Sequence, residues 1–141
     1  MKLSYPAVFY PWDEGGGYTV EVPDLPGCVS EGDSLAEAIL MGTDAASGWV
    51  LDELEEGRPA PPASGVGQIT PEEDGGFVSV LVLDMDEYAR KFGRKTIKKT
   101  MDLELPAYLA TFAESRRLDI SRIAQDAISE LYLKHQLTMD N

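Results

Sequence analysis

Cysteine and histidine are almost absent from this chain, one of each in 141 residues, at Cys28 and His135. A single cysteine makes no internal disulfide, and one cysteine with one histidine leaves no Cys/His spacing of the kind that holds a metal ion. Long apolar runs are missing too. No segment approaches the roughly 20 residues that span a bilayer, and Met1 to Pro6 lacks the apolar stretch of a secretory signal. These absences lead to the expectation of a soluble, cytoplasmic protein without a membrane partner, in which Cys28 is a small core residue. His135 falls near an expected helix C-terminus, where an imidazolium merely complements the helix dipole. There is no glycine-rich phosphate loop and no nucleophile triad, and Gly15-Gly16-Gly17 is better explained as a turn. Asp13, Asp24, Glu31, Asp33 and Asp44 offer carboxylates for a two-metal nuclease, yet no spacing gathers them into a cluster. The expectation is a protein that is not an enzyme and holds neither cofactor nor metal.

Positive charge is scarce in one part of the chain only. Residues 1–84 hold sixteen acidic and two basic side chains, a net of -14, whereas residues 85–141 hold nine and ten, a net of +1. Six of those ten basic residues, Arg90, Lys91, Arg94, Lys95, Lys98 and Lys99, lie within one ten-residue span. A sequence pI near 4.3 argues against nucleic acid. Attraction to phosphate is local, however, and a cluster of this kind either meets a backbone or is a solvated basic linker. The expected organisation is an N-terminal domain over residues 1–84, a basic linker over 85–96 in which Tyr88 and Phe92 could make a short helix, and a C-terminal domain over 97–141.

The first part reads as α+β. A strand is expected from Leu3 to Tyr10, with Pro6 confining it to an edge or a bulge. The three glycines turn it into Tyr18-Thr19-Val20-Glu21-Val22, which alternates as a returning strand. Pro23-Asp24-Leu25-Pro26-Gly27 makes a rigid corner before a short strand at Cys28 to Glu31. Ser34 and Glu37 have the spacing of a capping box, opening a long helix whose positions Leu35, Ala38, Ile39, Ala45, Ala46, Trp49 and Val50 should face a sheet and which Gly57 should end. The segment from Arg58 to Gly76, rich in proline and glycine, reads as a long irregular loop, functional or mobile. Phe77 to Leu83, apolar on both faces, reads as an interior strand. Trp12 and Trp49 belong to a core or an interface, and the sequence leaves open which.

The last part is one strand and two helices. Ile97, Met101, Leu103 and Leu105 interleave with Lys98, Thr100, Asp102 and Glu104 in a half-buried strand that Pro106 ends. Leu109, Phe112 and Ala113 mark one helix face. Asp119 can cap a second helix in which Ile120, Ile123, Ala124, Ala127, Ile128, Leu131 and Tyr132 form a wide apolar stripe. So small a unit seldom buries enough surface alone, and its single strand leaves two unpaired edges. A second copy solves both problems, with Met101, Leu103, Leu105, Phe112, Ile123 and Ile128 in a shared dimer core.

The order strand-helix-helix, and Met101-Asp102-Leu103-Glu104-Leu105-Pro106 within it, resembles the ribbon-helix-helix transcriptional repressors. That resemblance implies a two-stranded ribbon in the DNA major groove. It carries base reading onto Thr100 and Asp102, flanked by Lys98 and Glu104, with Lys99 beside them and a phosphate anchor at Ile120, Ser121 and Arg122. Asp102 and Glu104 also repel phosphates, so affinity would lean on Lys98, Lys99 and the upstream cluster.

Residues Tyr18 through Gly32, with Pro23-Asp24-Leu25-Pro26-Gly27-Cys28, Gly32-Asp33-Ser34 and Glu37-Ala38, followed by Glu56-Gly57-Arg58-Pro59 to Pro62 and Ser64, resemble the N-terminal domain of HicB antitoxins. Some members of that family carry a ribbon-helix-helix tail. The resemblance implies a partial, inactive RNase H-like domain that binds and masks a HicA-type mRNA-cleaving toxin, a tail that represses the operon by binding operator DNA, and a homodimer able to pair into a homotetramer. A toxin that handles RNA presents positive charge, which the acidic half complements; Asp24, Glu31 and Asp33 are the candidate contacts. The competing readings are a stand-alone regulator whose acidic domain takes another ligand, and acidity that serves solubility alone.

Overall fold

The computed structural model describes residues 1–93 and 98–139, with side chains up to residue 135. It divides into two compact units, Lys2–Arg94 and Lys95–Asn141 together with Met1. Ile97, at the start of the expected ribbon, and Arg94 and Lys95 of the basic cluster lie outside the described residues.

The first unit is a four-stranded antiparallel sheet with one long helix against it. Strands β1 (Lys2–Pro11), β2 (Tyr18–Glu21), β3 (Val29–Gly32) and β4 (Phe77–Asp84) stand in the order β3-β2-β1-β4. Helix α1 (Leu35–Glu55) follows β3, and helix α2 (Met85–Phe92) follows β4. Register explains the core. Tyr5 lies opposite Leu81, Leu3 opposite Leu83 and Phe9 opposite Val20, and directly opposed residues share a face. That face receives α1, and Tyr5, Phe9, Val20, Leu81 and Leu83 are buried there.

Three expectations need correction. Phe77 to Leu83 forms an edge strand rather than an interior one: Leu81 and Leu83 are buried, while Val80 and Val82, on the other face, are 44% and 61% exposed. Continuous apolarity therefore reports a second face that is open at Val80 and Val82, although Pro6 and Val8 on the same face of β1 are buried. Pro6, conversely, sits in an interior strand, tolerated because β2 pairs only with residues 8–11 and Pro6 has a neighbour, Val80, on one side alone. Third, the buried stripe of α1 runs through Ala38, Gly42, Ala46 and Val50, while Leu35 and Ile39 are exposed. Gly42 was overlooked because it adds no hydrophobicity. A Cβ there would stand 3.0 Å from Val20 Cγ1 and 3.4 Å from Leu81 Cδ1, so its absence lets the helix lie close on the sheet.

Both ends of α1 follow from their residues. Ser34 Oγ accepts from Glu37 N–H at 3.1 Å, and the Glu37 carboxylate reaches back to Asp33 N–H, one residue before the donor a regular capping box uses. At the other end Gly57, with φ +78°, closes a Schellman motif in which Gly57 N–H reaches Leu54 O and Arg58 N–H reaches Glu53 O. Arg58 and Glu53 then pair by two bonds of 2.7 and 2.8 Å where such motifs usually make an apolar contact, and this pairing holds the Glu53 carboxyl below the usual range.

The loop after α1 is tied down. Tyr5 Oη donates to Pro61 O at 2.6 Å, Ser64 donates twice to Asp24, and Glu72 N–H donates to Tyr10 Oη. A 3₁₀ turn at Val66–Gln68, where only irregular chain was expected, packs on β4. Residues 85–92, expected as the start of a linker, form α2 and pack on α1 through Tyr88, whose ring meets Phe92 at 4.7 Å between centroids.

The second unit holds helices α3 (Ala107–Ser115) and α4 (Ile120–Met139). Asp119 caps α4 as expected, its Oδ1 accepting from Arg122 N–H at 3.0 Å. Residues 98–105 carry no secondary structure in the single chain. A ladder needs a partner strand, and one copy has none to offer among its described residues.

Candidate functional site

The residues expected to meet a protein partner cluster around the corner between β2 and α1. Val22, Leu25 and Cys28 are buried and close the corner with backbone bonds from Val22 N–H to Cys28 O and from Cys28 N–H to Leu25 O. Burial pushes the Cys28 thiol up, as suits a core residue. Trp49 answers one open question: its indole N–H donates to Pro26 O at 3.1 Å, fastening the corner to α1. Trp12 lies against Gly17 and donates to Thr19 Oγ1, so it braces the first hairpin.

The three candidate carboxylates separate on this frame. Both oxygens of Asp24 accept from Ser64, the backbone N–H at 2.8 Å and the hydroxyl at 2.6 Å, so Asp24 pins the proline-rich loop to the corner. Glu31 and Asp33 are exposed, at and just beyond β3 on the outer edge of the sheet, and Glu21 lies on the neighbouring strand. That edge presents carboxylates to whatever approaches it. Sequence reasoning missed Ser64 and Tyr5 as parts of this frame. Tyr5, buried and near Asp24, has its phenol pushed up to about 12, first by desolvation and then by the Asp24 charge.

A second concavity was also missed. An open groove of about 250 Å³ between α1 and α2 is lined by Gly48, Leu51, Asp52, Glu55, Tyr88 and Phe92. Gly48 admits the Tyr88 hydroxyl, and burial, then the charges of Asp44 and Asp52, raise its phenol. Among the described residues no group of three or more His, Cys, Asp or Glu side chains is placed to hold a metal ion.

The candidate DNA-binding residues of the second unit, Lys98, Lys99, Thr100, Asp102, Glu104, Ser121 and Arg122, are all exposed. At the start of α4 the Arg122 N–H is already taken by Asp119, and its guanidinium lies 3.6 Å from Asp126. Of the three donors expected at a phosphate anchor, only the Ile120 and Ser121 amides are left by the Asp119 cap. The candidate dimer core is exposed as well: Met101, Leu103, Leu105, Phe112, Ile123 and Ile128 all face solvent in one copy, with Arg116 lying over the Phe112 ring. Among the described residues from Lys98 onward, none is fully buried.

Comparison with known proteins defines the class. The model of the HicB-like antitoxins of bacterial toxin-antitoxin systems matches residues 5–127, and the chain belongs to that family. Among solved structures, a toxin-antitoxin complex from Streptococcus pneumoniae has a chain 26% identical, with TM-score 0.59, the match covering 92% of this chain and 99% of that one. The Burkholderia pseudomallei antitoxin HicB, at 23% identity and TM-score 0.54 over 92% of this chain and 98% of its own, shares the fold. An uncharacterized 14.9 kDa protein from the rep-hol intergenic region of Haemophilus phage HP1 (strain HP1c1) is 37% identical over 70 residues, 50% of this chain and 53% of that protein. The chain thus spans about half the length of that curated relative. No described helix is long and apolar enough to cross a membrane.

Proposed function

We propose that this chain is an antitoxin whose acidic first unit binds and neutralises a HicA-type mRNA-cleaving toxin, and whose second unit dimerises as a ribbon-helix-helix domain and represses its own operon. The family match over residues 5–127 carries this reading. In it the first unit is a partial RNase H-like domain without enzymatic activity. The exposed edge at Glu31 and Asp33 supplies the charge that draws a phosphate-handling protein, and Asp24 holds the loop behind that edge. Supporting the tail's role, its apolar residues find no cover within one copy, and its longest described stretch without secondary structure coincides with the expected ribbon.

Coexpression with a HicA-type toxin tests the reading: the chain should copurify with the toxin and restore growth. Association should slow steeply with added salt, and Glu31→Lys with Asp33→Lys should slow it by on the order of tenfold or more. A toxin left unbound, or an association rate indifferent to both salt and the charge reversal, would refute it.

A further inference from the structure

Helix α1 turns a stripe of apolar side chains outward over its first half. Residues three and four apart are neighbours on a helix surface, so Leu35, Ile39 and Thr43 stand in one row and Ala36 and Leu40 in the row beside it. Leu35 and Ile39, expected to face the sheet, are 38% and 39% exposed, and Leu40 is 70% exposed, more than any other large apolar residue described in the first unit. Ala36 is exposed as well. The Thr43 hydroxyl is already donated to Ile39 O at 2.7 Å, so it asks no hydrogen bond of a neighbour. Apolar side chains scattered singly over a surface need no explanation. Five in two adjacent rows form a patch, and patches mark interfaces.

The charge around the stripe selects what can cover it. Glu37 stands three residues before Leu40 and Asp44 four residues after it, both exposed and both neighbours of Leu40 on the helix surface, and Asp33 lies just ahead of the Ser34 cap. No lysine or arginine occurs anywhere in α1. Residues 1–84 hold only two basic side chains, Lys2 and Arg58, and Arg58 is paired with Glu53 at the far end of the helix. Two copies of this chain meeting here would set carboxylates against carboxylates, and nucleic acid or an anionic membrane would be repelled. What fits is a protein surface with an apolar centre and a cationic rim, the complement of the anatomy found here.

We propose that the outward stripe of α1, centred on Ile39 and Leu40, is the apolar heart of the toxin contact, with Asp33, Glu37 and Asp44 as its rim. The inference rests on the antitoxin reading above and adds a division of labour to it. Carboxylates set how fast the toxin arrives, and the stripe sets how long it stays, because charge at a rim acts on association whereas a dry, packed centre acts on dissociation. The inner side of the same helix lies on the sheet through Ala38, Gly42, Ala46 and Val50, so the stripe is carried by a rigid element.

Kinetics with the full chain and a HicA-type toxin separate the two roles. Ile39→Ala with Leu40→Ala, substitutions at exposed positions by the best helix former, should leave the circular dichroism and the association rate unchanged and raise the dissociation rate by about tenfold or more. Val82→Ala, at an exposed apolar position on the face of the sheet away from α1, should change neither rate. An unchanged dissociation rate in the double alanine variant, or an equal rise in Val82→Ala, overturns the α1 contact while leaving the antitoxin reading in place. A toxin that the unaltered chain does not bind overturns that reading, and this inference with it.

Discussion

At Gly32 the backbone of β3 presses on the first turn of α1. A Cβ built there would run into Ala38 N and Glu37 C, backbone atoms that cannot step aside as a side chain does. Gly32→Ala should therefore cost about 3 kcal/mol or more, measured by urea unfolding, although alanine is ordinarily the milder choice in regular structure. The sequence shows Gly32 as part of a motif; it does not show that the reason is a helix laid across it, because that approach depends on residues elsewhere. Tyr5 teaches the same lesson through ionisation. Its folded phenol, at about 12, stands above the ordinary value of 10.0, so the folded state holds the proton more tightly than the unfolded chain. The stability this gives is complete below pH 10 and is lost as pH rises through 10 toward 12. Tyr5→Phe should flatten that alkaline limb of a thermal-melting profile, while costing about 1 kcal/mol at neutral pH through the missing bond to Pro61 O. The sequence places Tyr5 in the expected strand, but its hydroxyl partner sits in a loop that periodicity cannot align.

Elements were legible where local chemistry decides and illegible where neighbours do. The hairpin, the Ser34 start and Gly57 stop of α1, and the Asp119 cap of α4 could be read from residues within a few positions of each other. The place of β4 at the edge could not, since a run such as Phe77–Leu83 reads alike whether its second face is buried in this chain or left open. The proline-rich loop is irregular as expected apart from Val66–Gln68, but what holds it in place could not be read. Its order comes from Tyr5, Asp24 and Tyr10, all distant in sequence. The helices of the tail give the opposite case, in which the pattern is plain and the single copy does not satisfy it: Ile123 and Ile128 are 48% and 63% exposed. If a twin covers them, Ile123→Glu should weaken association through the tail by about 3 kcal/mol or more, because it buries a carboxylate without a partner. Sedimentation of the full chain checks this: an undiminished mass would show that the stripe is not an interface.

The whole molecule confines its net negative charge to one part, with -14 over residues 1–84 and a near-neutral +1 over residues 85–141. The proposed operator binding by a chain of net -13 would come from local cations, and Lys98 and Lys99, both exposed, lie within the proposed ribbon. Lys98→Ala with Lys99→Ala should weaken binding to operator and to random DNA alike. The slope of affinity against salt should fall by roughly one for each phosphate that a lysine no longer neutralises. Unchanged gel shifts in this variant would remove the tail from DNA. Charge division was legible from composition alone, and the family from a handful of residues around Pro23 to Ser34. The pairing that ties the first unit together was not, and it sets a schedule. The longer ladder of β1 joins Tyr5 to Leu81, so one side of β1 stays unpaired until the edge strand β4, near the end of the unit, is made. At roughly 5–20 residues per second of synthesis, that leaves several seconds in which a nascent chain displays an unfinished sheet to cellular proteases. If the chain is the proposed antitoxin, its supply is then exposed to proteolysis for as long as synthesis of the unit lasts.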